Sequence, residues 1–317
     1  MKVITAPLAF LGRHATTMMA LGVFVGLLLP HIMVHLQPYL SYMVWLLMVI
    51  SMVQIKWADA AGQVRRPVLL ISIIVWMLAV TPVLMWLLVE DIGLSPGLVV
   101  ALVLTAATCP LMSTPAVGMI LGLDATLLLL ALIAETFLVP LSLPVVSATL
   151  VSTPVETFGL MQRLALLVFS TAAAAAVAQK IFGSARIDGA REILYGSSVL
   201  LLVLFAASLM SGVPDAYAKD PDHVLFVTGL SFAAFAGLQA LGAGAFWGWG
   251  WVLGRGWTRT QVLSAAFVSG NRNLAVLIAV LLPAIDPDTM LYFMVGQFPI
   301  YLMPSVWRWL VKRLLPA

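Results

Sequence analysis

Long apolar runs, each closed by a short polar stretch, follow one another from Ala15 to the C-terminal arginines. Crossing the hydrocarbon core of a bilayer takes roughly 20 mostly apolar residues in a helix. Ten runs are of that order, at 15–37, 39–56, 67–89, 95–121, 125–148, 160–181, 192–212, 223–254, 261–283 and 288–310. They are too long for barrel strands, and backbone groups in lipid have no water to bond, so each run predicts a helix. The polar stretches between them are short loops. The pattern therefore predicts an all-α protein, a single membrane domain over 1–317. The first run follows Arg13 and His14 and is long enough to be a span, so it is read as one and not as a cleavable leader.

Two runs are interrupted. The fourth reads LTAATCPLMSTPAVGMILG, with Pro110 and Pro115 inside it, and the ninth reads AFVSGNRNLAVLIAVLLP, with Gly270, Asn271 and Asn273. These are poor helix formers. Spans four and nine hold the same place in two five-span halves, about 1–150 and 155–317. Interrupted helices at matched positions point to an inverted-repeat transporter with a site near the membrane midplane, and the odd span count inverts one half against the other. An offset of 162 residues lays Leu123-Asp124 on Ile285-Asp286 and Glu135 on Gln297, giving spans five and ten a polar residue each.

Composition agrees with the membrane reading. Hydrophobic residues make up 62% of the chain and charged residues 9%, with a mean hydropathy of +1.09; soluble domains carry about a quarter charged residues. Cys109 is the one cysteine, so no intrachain disulfide can form. Of the 16 Lys and Arg residues, thirteen, from Lys2 and Arg13 through Arg65, Arg66 and Arg186 to Arg313, fall at the termini or in alternate loops. The other loops hold Arg163 and Lys219 and gather acids such as Glu90, Asp91, Asp220 and Asp286. That bias predicts both termini on the cytoplasmic side of a bacterial inner (cell) membrane.

Arg272 belongs to neither surface. An arginine at the bilayer centre costs from about 2.5 to over 10 kcal/mol, cannot shed its charge, and lies about three helical turns from either end of its span. It serves either as a tie, bonding carbonyls freed at a helix break, or as an anion site and built-in counter-charge. Glu135 is the one acid deep in a span; it pairs with Arg272, carries a proton, or is inert. Ser113, Thr114 and Ser269 flank the breaks and either bind a substrate or cap half-helices. Asn271, Asn273 and Gln297 complete the candidate binding set. His31 and His35 have metal-binding spacing but no acid nearby and read as structural. FWGWGWVLGRGW (246–257) reads as an interfacial aromatic belt. No nucleotide loop, dinucleotide fingerprint, zinc-protease motif or nucleophile elbow is present, so no enzyme chemistry, cofactor, metal or nucleic-acid partner is expected.

The stretch CPLMSTPAVGMILGLDATLLLLALIAETFLVPLSLP resembles the first crossover and following helix of the bile acid:sodium symporter family. Cys109, Pro110, Val117, Leu121, Asp124, Leu127, Thr136 and Pro140 fall in register, with one residue fewer in the turn. QIKWADAAGQVRRP (54–67) resembles that family's loop after the second helix, and SGNRNLA stands at its second crossover with Gly270 and Asn273 in register. The resemblance implies a panel (15–56 and 160–212), a core (67–148 and 223–310), and substrate binding between them. It also implies sodium-site positions that this chain fills with Pro115, Ala116, Leu128, Leu132, Val268 and Arg272. A guanidinium and a sodium ion repel at close range unless an acid intervenes, so Arg272 would stand as the permanent positive charge.

The expected function is a secondary transporter moving a small organic anion across the lipid bilayer by alternating access, without two-sodium coupling. Three other readings stay open: sodium- or proton-coupled symport through Glu135, arsenite efflux, and a non-transporting receptor or scaffold. Arsenite permeases of the wider superfamily have a cysteine in the fourth helix, as Cys109 is, but the glutamate near the ninth break is absent.

Overall fold

The computed structural model of the chain describes residues 7–8, 10–12, 14–57, 67–151, 156–252, 256–282 and 285–315. The basic residues Lys2, Arg13, Arg65, Arg66 and Arg255, and most of the loop at 54–67, lie outside the described residues.

The helix α1 runs Ala15–Leu28 and α2 runs Pro30–Val53. The first boundary falls earlier than residue 37 because Pro30 has no N–H to continue a helix and is preformed to open one. Pro38 lies within a 3-10 stretch, Val34–Tyr39, inside α2. The helix α3, Pro67–Val89, carries a π-helical segment at Trp76–Val80, after which Thr81 N–H donates five residues back to Trp76. Pro82 follows at once and cannot donate to the carbonyl four residues before it, which makes the wider turn the way to keep the helix going.

The fourth and ninth apolar runs are each two helices. The first pair is α4, Pro96–Ala107, and α5, Thr114–Leu121. Next come α6, Ala125–Leu150, α7, Thr157–Phe182, α8, Arg191–Lys219, and α9, Pro221–Gly250. The second pair is α10, Arg259–Gly270, and α11, Leu274–Leu281. The last run also divides, into α12, Pro287–Val295, and α13, Gln297–Leu314, jointed at Gly296. Asp124 caps α6 by accepting from Leu127 N–H, and Asp286 caps α12 by accepting from Asp288 and Thr289. The two aspartates are 162 positions apart.

Six of these helices, α2, α3, α6, α7, α8 and α9, are long and apolar enough to cross a bilayer. Their outward faces expose large apolar side chains, among them Ile71, Val75, Leu141, Val145, Leu166, Phe169, Leu225 and Phe226. So much exposed hydrocarbon suits lipid and not water. The chain is an all-α protein of integral-membrane character. The helix α8 packs on α1 and α2, α7 on α2 and α6, α3, α5 and α10 on α6, α12 on α4 and α9, and α11 on α2 and α7. Chain connectivity collects Lys180, Arg186, Arg191, Arg259, Arg308 and Arg313 at one end of the bundle, the basic end, and Glu90, Asp91, Asp220, Asp286 and Asp288 at the other. At the acidic end Asp288 accepts from Ser95 at the start of α4 and lies 2.9 Å from His223 Nε2 at the start of α9.

Candidate functional site

The two broken helices meet at their breaks. Thr108 turns to extended backbone after α4, and Asn271 leaves the helical region after α10. The freed segments 109–111 and 271–273 then pair antiparallel, with Pro110 opposite Arg272. Leu111 N–H donates to the Asn271 carbonyl at 3.0 Å and Asn273 N–H to the Cys109 carbonyl at 2.9 Å. The facing residues of this crossing are again 162 positions apart. Backbone with no water to bond is satisfied by the other break, which permits two irregular segments in a dry interior.

Arg272 is fully buried. Its Nε donates to Ser269 O at 2.7 Å, its Nη1 to Thr108 O at 2.9 Å and Met77 O at 3.3 Å, and its Nη2 to Thr81 Oγ1 at 2.8 Å. Four of its five N–H donors therefore bind α3 and the carbonyls that the breaks expose. Of the two kinds of partner expected from the sequence, the carbonyls are taken. Glu135 is not in ion-pair contact: neither of its oxygens has a hydrogen-bond partner, although an ionised carboxylate there would feel the Arg272 charge through space.

The neighbouring candidates are mostly engaged too. Ser269 Oγ donates to Ala265 O at 2.7 Å and accepts from the Trp76 indole at 2.9 Å. Asn271 Nδ2 donates to Thr114 Oγ1 at 2.8 Å, joining the start of α5 to the end of α10. Asn273 caps α11 by accepting from Val276 N–H, and its carbonyl accepts from Thr108 Oγ1 at 3.2 Å. Gln297 is buried at the start of α13 and donates to Phe293 O at 3.0 Å, within its own segment of chain. Ser113 Oγ is buried and has no partner. Gly270 is required by close packing, since a Cβ there would strike the Phe235 carbonyl and Gln239 of α9. The structure thus brings Arg272, Asn271, Asn273, Ser269 and Thr114 into one bonded cluster. Glu135 lies within its electrostatic reach, and Ser113 and Gln297 are bonded to none of it.

Trp76, Met77, Thr81 and Thr108 belong to this cluster and were not singled out from the sequence. The signal available was Thr81-Pro82 in mid-span, a hydroxyl next to a residue that frees a carbonyl. Thr81 Oγ1 also lies 2.9 Å from Met77 O and 2.8 Å from Ala106 O, so it joins α3 to the end of α4.

A cavity of about 270 Å³ lies toward the basic end between α1, α5 and α13, lined by Thr17, Ala20, Val117, Leu121, Ser305 and Arg308 among others. None of the eight candidate residues lines it. The crossing is connected to it through α5, whose first residue, Thr114, is held by Asn271.

Fold and crossing together define an α-helical membrane protein organised around two interrupted helices. No family model matches the chain, and no curated protein matches it.

Proposed function

We propose that the protein is a secondary transporter that moves a small organic anion across a bacterial inner membrane by alternating access. In this reading the helices form ten spans in two inverted five-span halves, in the manner of the bile acid:sodium symporters that the sequence resembles, with the basic end cytoplasmic. The observation that carries the proposal is the pairing of Pro110 with Arg272. Residues related by a two-fold axis meet each other only on that axis. The same 162-residue offset relates the capping aspartates Asp124 and Asp286 and the facing residues of the crossing. Its hydrogen bonds obey the same symmetry: exchanging 109 with 271 and 111 with 273 turns one into the other.

The substrate region in this proposal is the cavity between α1 and the helices α5 and α13. Arg308 supplies a cation there, Thr17 and Ser305 supply hydroxyls, and the remaining wall is apolar, which suits an organic anion better than an inorganic one. Arg272 acts from behind as the fixed charge that holds the crossing together. Absence of two-sodium coupling is supported by Leu128, Leu132 and Val268, all buried. Leu128 fills the space over Gly118, so hydrocarbon stands where oxygen ligands would be needed.

The test is uptake of radiolabelled acetate, benzoate and taurocholate into proteoliposomes containing the purified protein. Saturable uptake of one of these, weakened by Arg308→Gln and unchanged when choline replaces sodium, is the expected result. Ligand binding without flux for every anion would favour the receptor reading and overturn this one.

A further inference from the structure

Among the described residues Glu135 is the one acidic side chain that is fully buried, and both of its oxygens lack a donor. Its surroundings explain why no partner comes from nearby. Of the elements packed against α6, α3, α4 and α5 contain no charged residue. On α7, Arg163 and Lys180 lie near the helix ends and are exposed, with Arg163 donating to Val280 O. On α10, Arg259 is the first residue and is exposed. The titratable groups that sense Glu135 are Arg272 and the Cys109 thiol, one at each break. Arg272, however, directs four of its donors elsewhere.

An ionised carboxylate that is buried with no donor carries a large desolvation cost. Attraction to a guanidinium beyond contact distance offsets only part of that cost, because Coulomb energy falls with separation. A proton removes the charge and adds the missing donor. The residue 162 positions on is Gln297, a neutral side chain of the same length and equally buried, whose amide donates to the carbonyl four residues back. A protonated Glu135 has the same option on its own helix.

We infer that Glu135 is a proton-binding site, occupied while the crossing is closed around it and emptied when the crossing opens to water. The occupied state follows from this geometry alone; the emptying rests on the transporter reading. In the cycle a proton from water on one side forms an O–H bond on a carboxylate oxygen. That bond later breaks, returning the proton to water on the other side and leaving a carboxylate for Arg272 to attract. Anion movement would then be tied to proton movement in place of sodium.

Infrared spectroscopy of the full-length protein in lipid nanodiscs tests this, using glutamate labelled with carbon-13 at the side-chain carboxyl. The chain has four glutamates, and Glu90, Glu156 and Glu192 are exposed, so the stretch of a dry, protonated carboxyl can come only from Glu135. The expected result is a protonated-carboxyl band at neutral pH that shifts with the label, disappears in Glu135→Gln and fades as pH is raised. Should Glu135→Gln fail to fold, the label shift in the unmodified protein decides the matter. Absence of a label-sensitive band overturns the inference, as does survival of the band in Glu135→Gln. A band erased saturably by sodium but not by choline makes this a sodium site and also overturns it. The transporter reading fails separately: a protein that shows the band yet passes no anion keeps its proton site and loses the transport assignment.

Discussion

Arg272 donates to the carbonyl of Thr108 at 2.9 Å, across 164 residues of chain. That carbonyl is at the end of α4, where an uncapped helix leaves acceptors without donors. One side chain thus closes the end of one broken helix while bonding Ser269 in its own and Met77 in α3.

The arrangement depends on a planar fork and not merely on a charge. Arg272→Lys is expected to lower thermal stability almost as much as Arg272→Gln, each by about 3–5 kcal/mol, the range found when a buried charged group loses its partners. Thermal unfolding in a single detergent, followed by tryptophan fluorescence, measures both. Full stability in the lysine variant would mean that charge alone suffices.

Trp76 and Ser269 join the π-helical part of α3 to the end of α10. Trp76→Phe and Ser269→Ala should each cost about 1 kcal/mol through the lost hydrogen bond, beyond any change in packing. The double variant should cost less than the sum of the two, and the shortfall measures the bond. Strictly additive losses would count against it.

An ion that binds the native state must stabilise it. With Leu128, Leu132 and Val268 buried as hydrocarbon, replacing sodium by choline at constant ionic strength should leave the melting temperature unchanged. A saturable rise specific to sodium would contradict this.

At the basic end Lys56 and Asp188 form an exposed ion pair at 2.9 Å. The hydrogen bond from Lys56 holds the Asp188 carboxyl below its usual range, with the charges of Lys56 and Arg191 adding to the effect. A depressed native value favours folding at pH above the unfolded carboxyl value of about 3.9, and the benefit is lost as pH falls through the native value. The pair should therefore have no pH dependence near neutrality and should weaken only in acid. Proton titration of Asp188 by NMR, with and without Lys56→Gln, checks this: the variant should titrate at higher pH.

Much of the architecture was legible because lipid imposes simple demands on a sequence. The span at 67–89 agrees with α3 at both ends, and the interruption at Ser269–Asn273 lies where Gly270 and the two asparagines put it. The first interruption lies a little before the expected Pro110–Pro115, since Pro115 is the second residue of α5, where a missing N–H is harmless. The joint at Gly296 was missed because one glycine in an apolar run announces nothing. Arg272 illustrates the larger limit. Its need for partners was evident from the sequence, but three of its four acceptors include backbone carbonyls in Ser269, Met77 and Thr108, and every residue has one of those. Glu135 stood out as a partner because side chains carry the letters of the sequence.

Pro110 opposite Arg272 has a consequence for the proposed repeat. In a dimer of identical half-proteins, residues facing each other on a two-fold axis are two copies of one residue. Two arginines there would press like charges together in a dry place, and two prolines would offer the exposed carbonyls no donor. Joining both halves in one polypeptide lifts that restriction, so one half can carry the cation and the other the ring that leaves room for it. In the proposed transporter the halves are then no longer interchangeable, and its inward-facing and outward-facing forms need not be equal in energy. The resting orientation of such a molecule is written into the difference between two residues that touch.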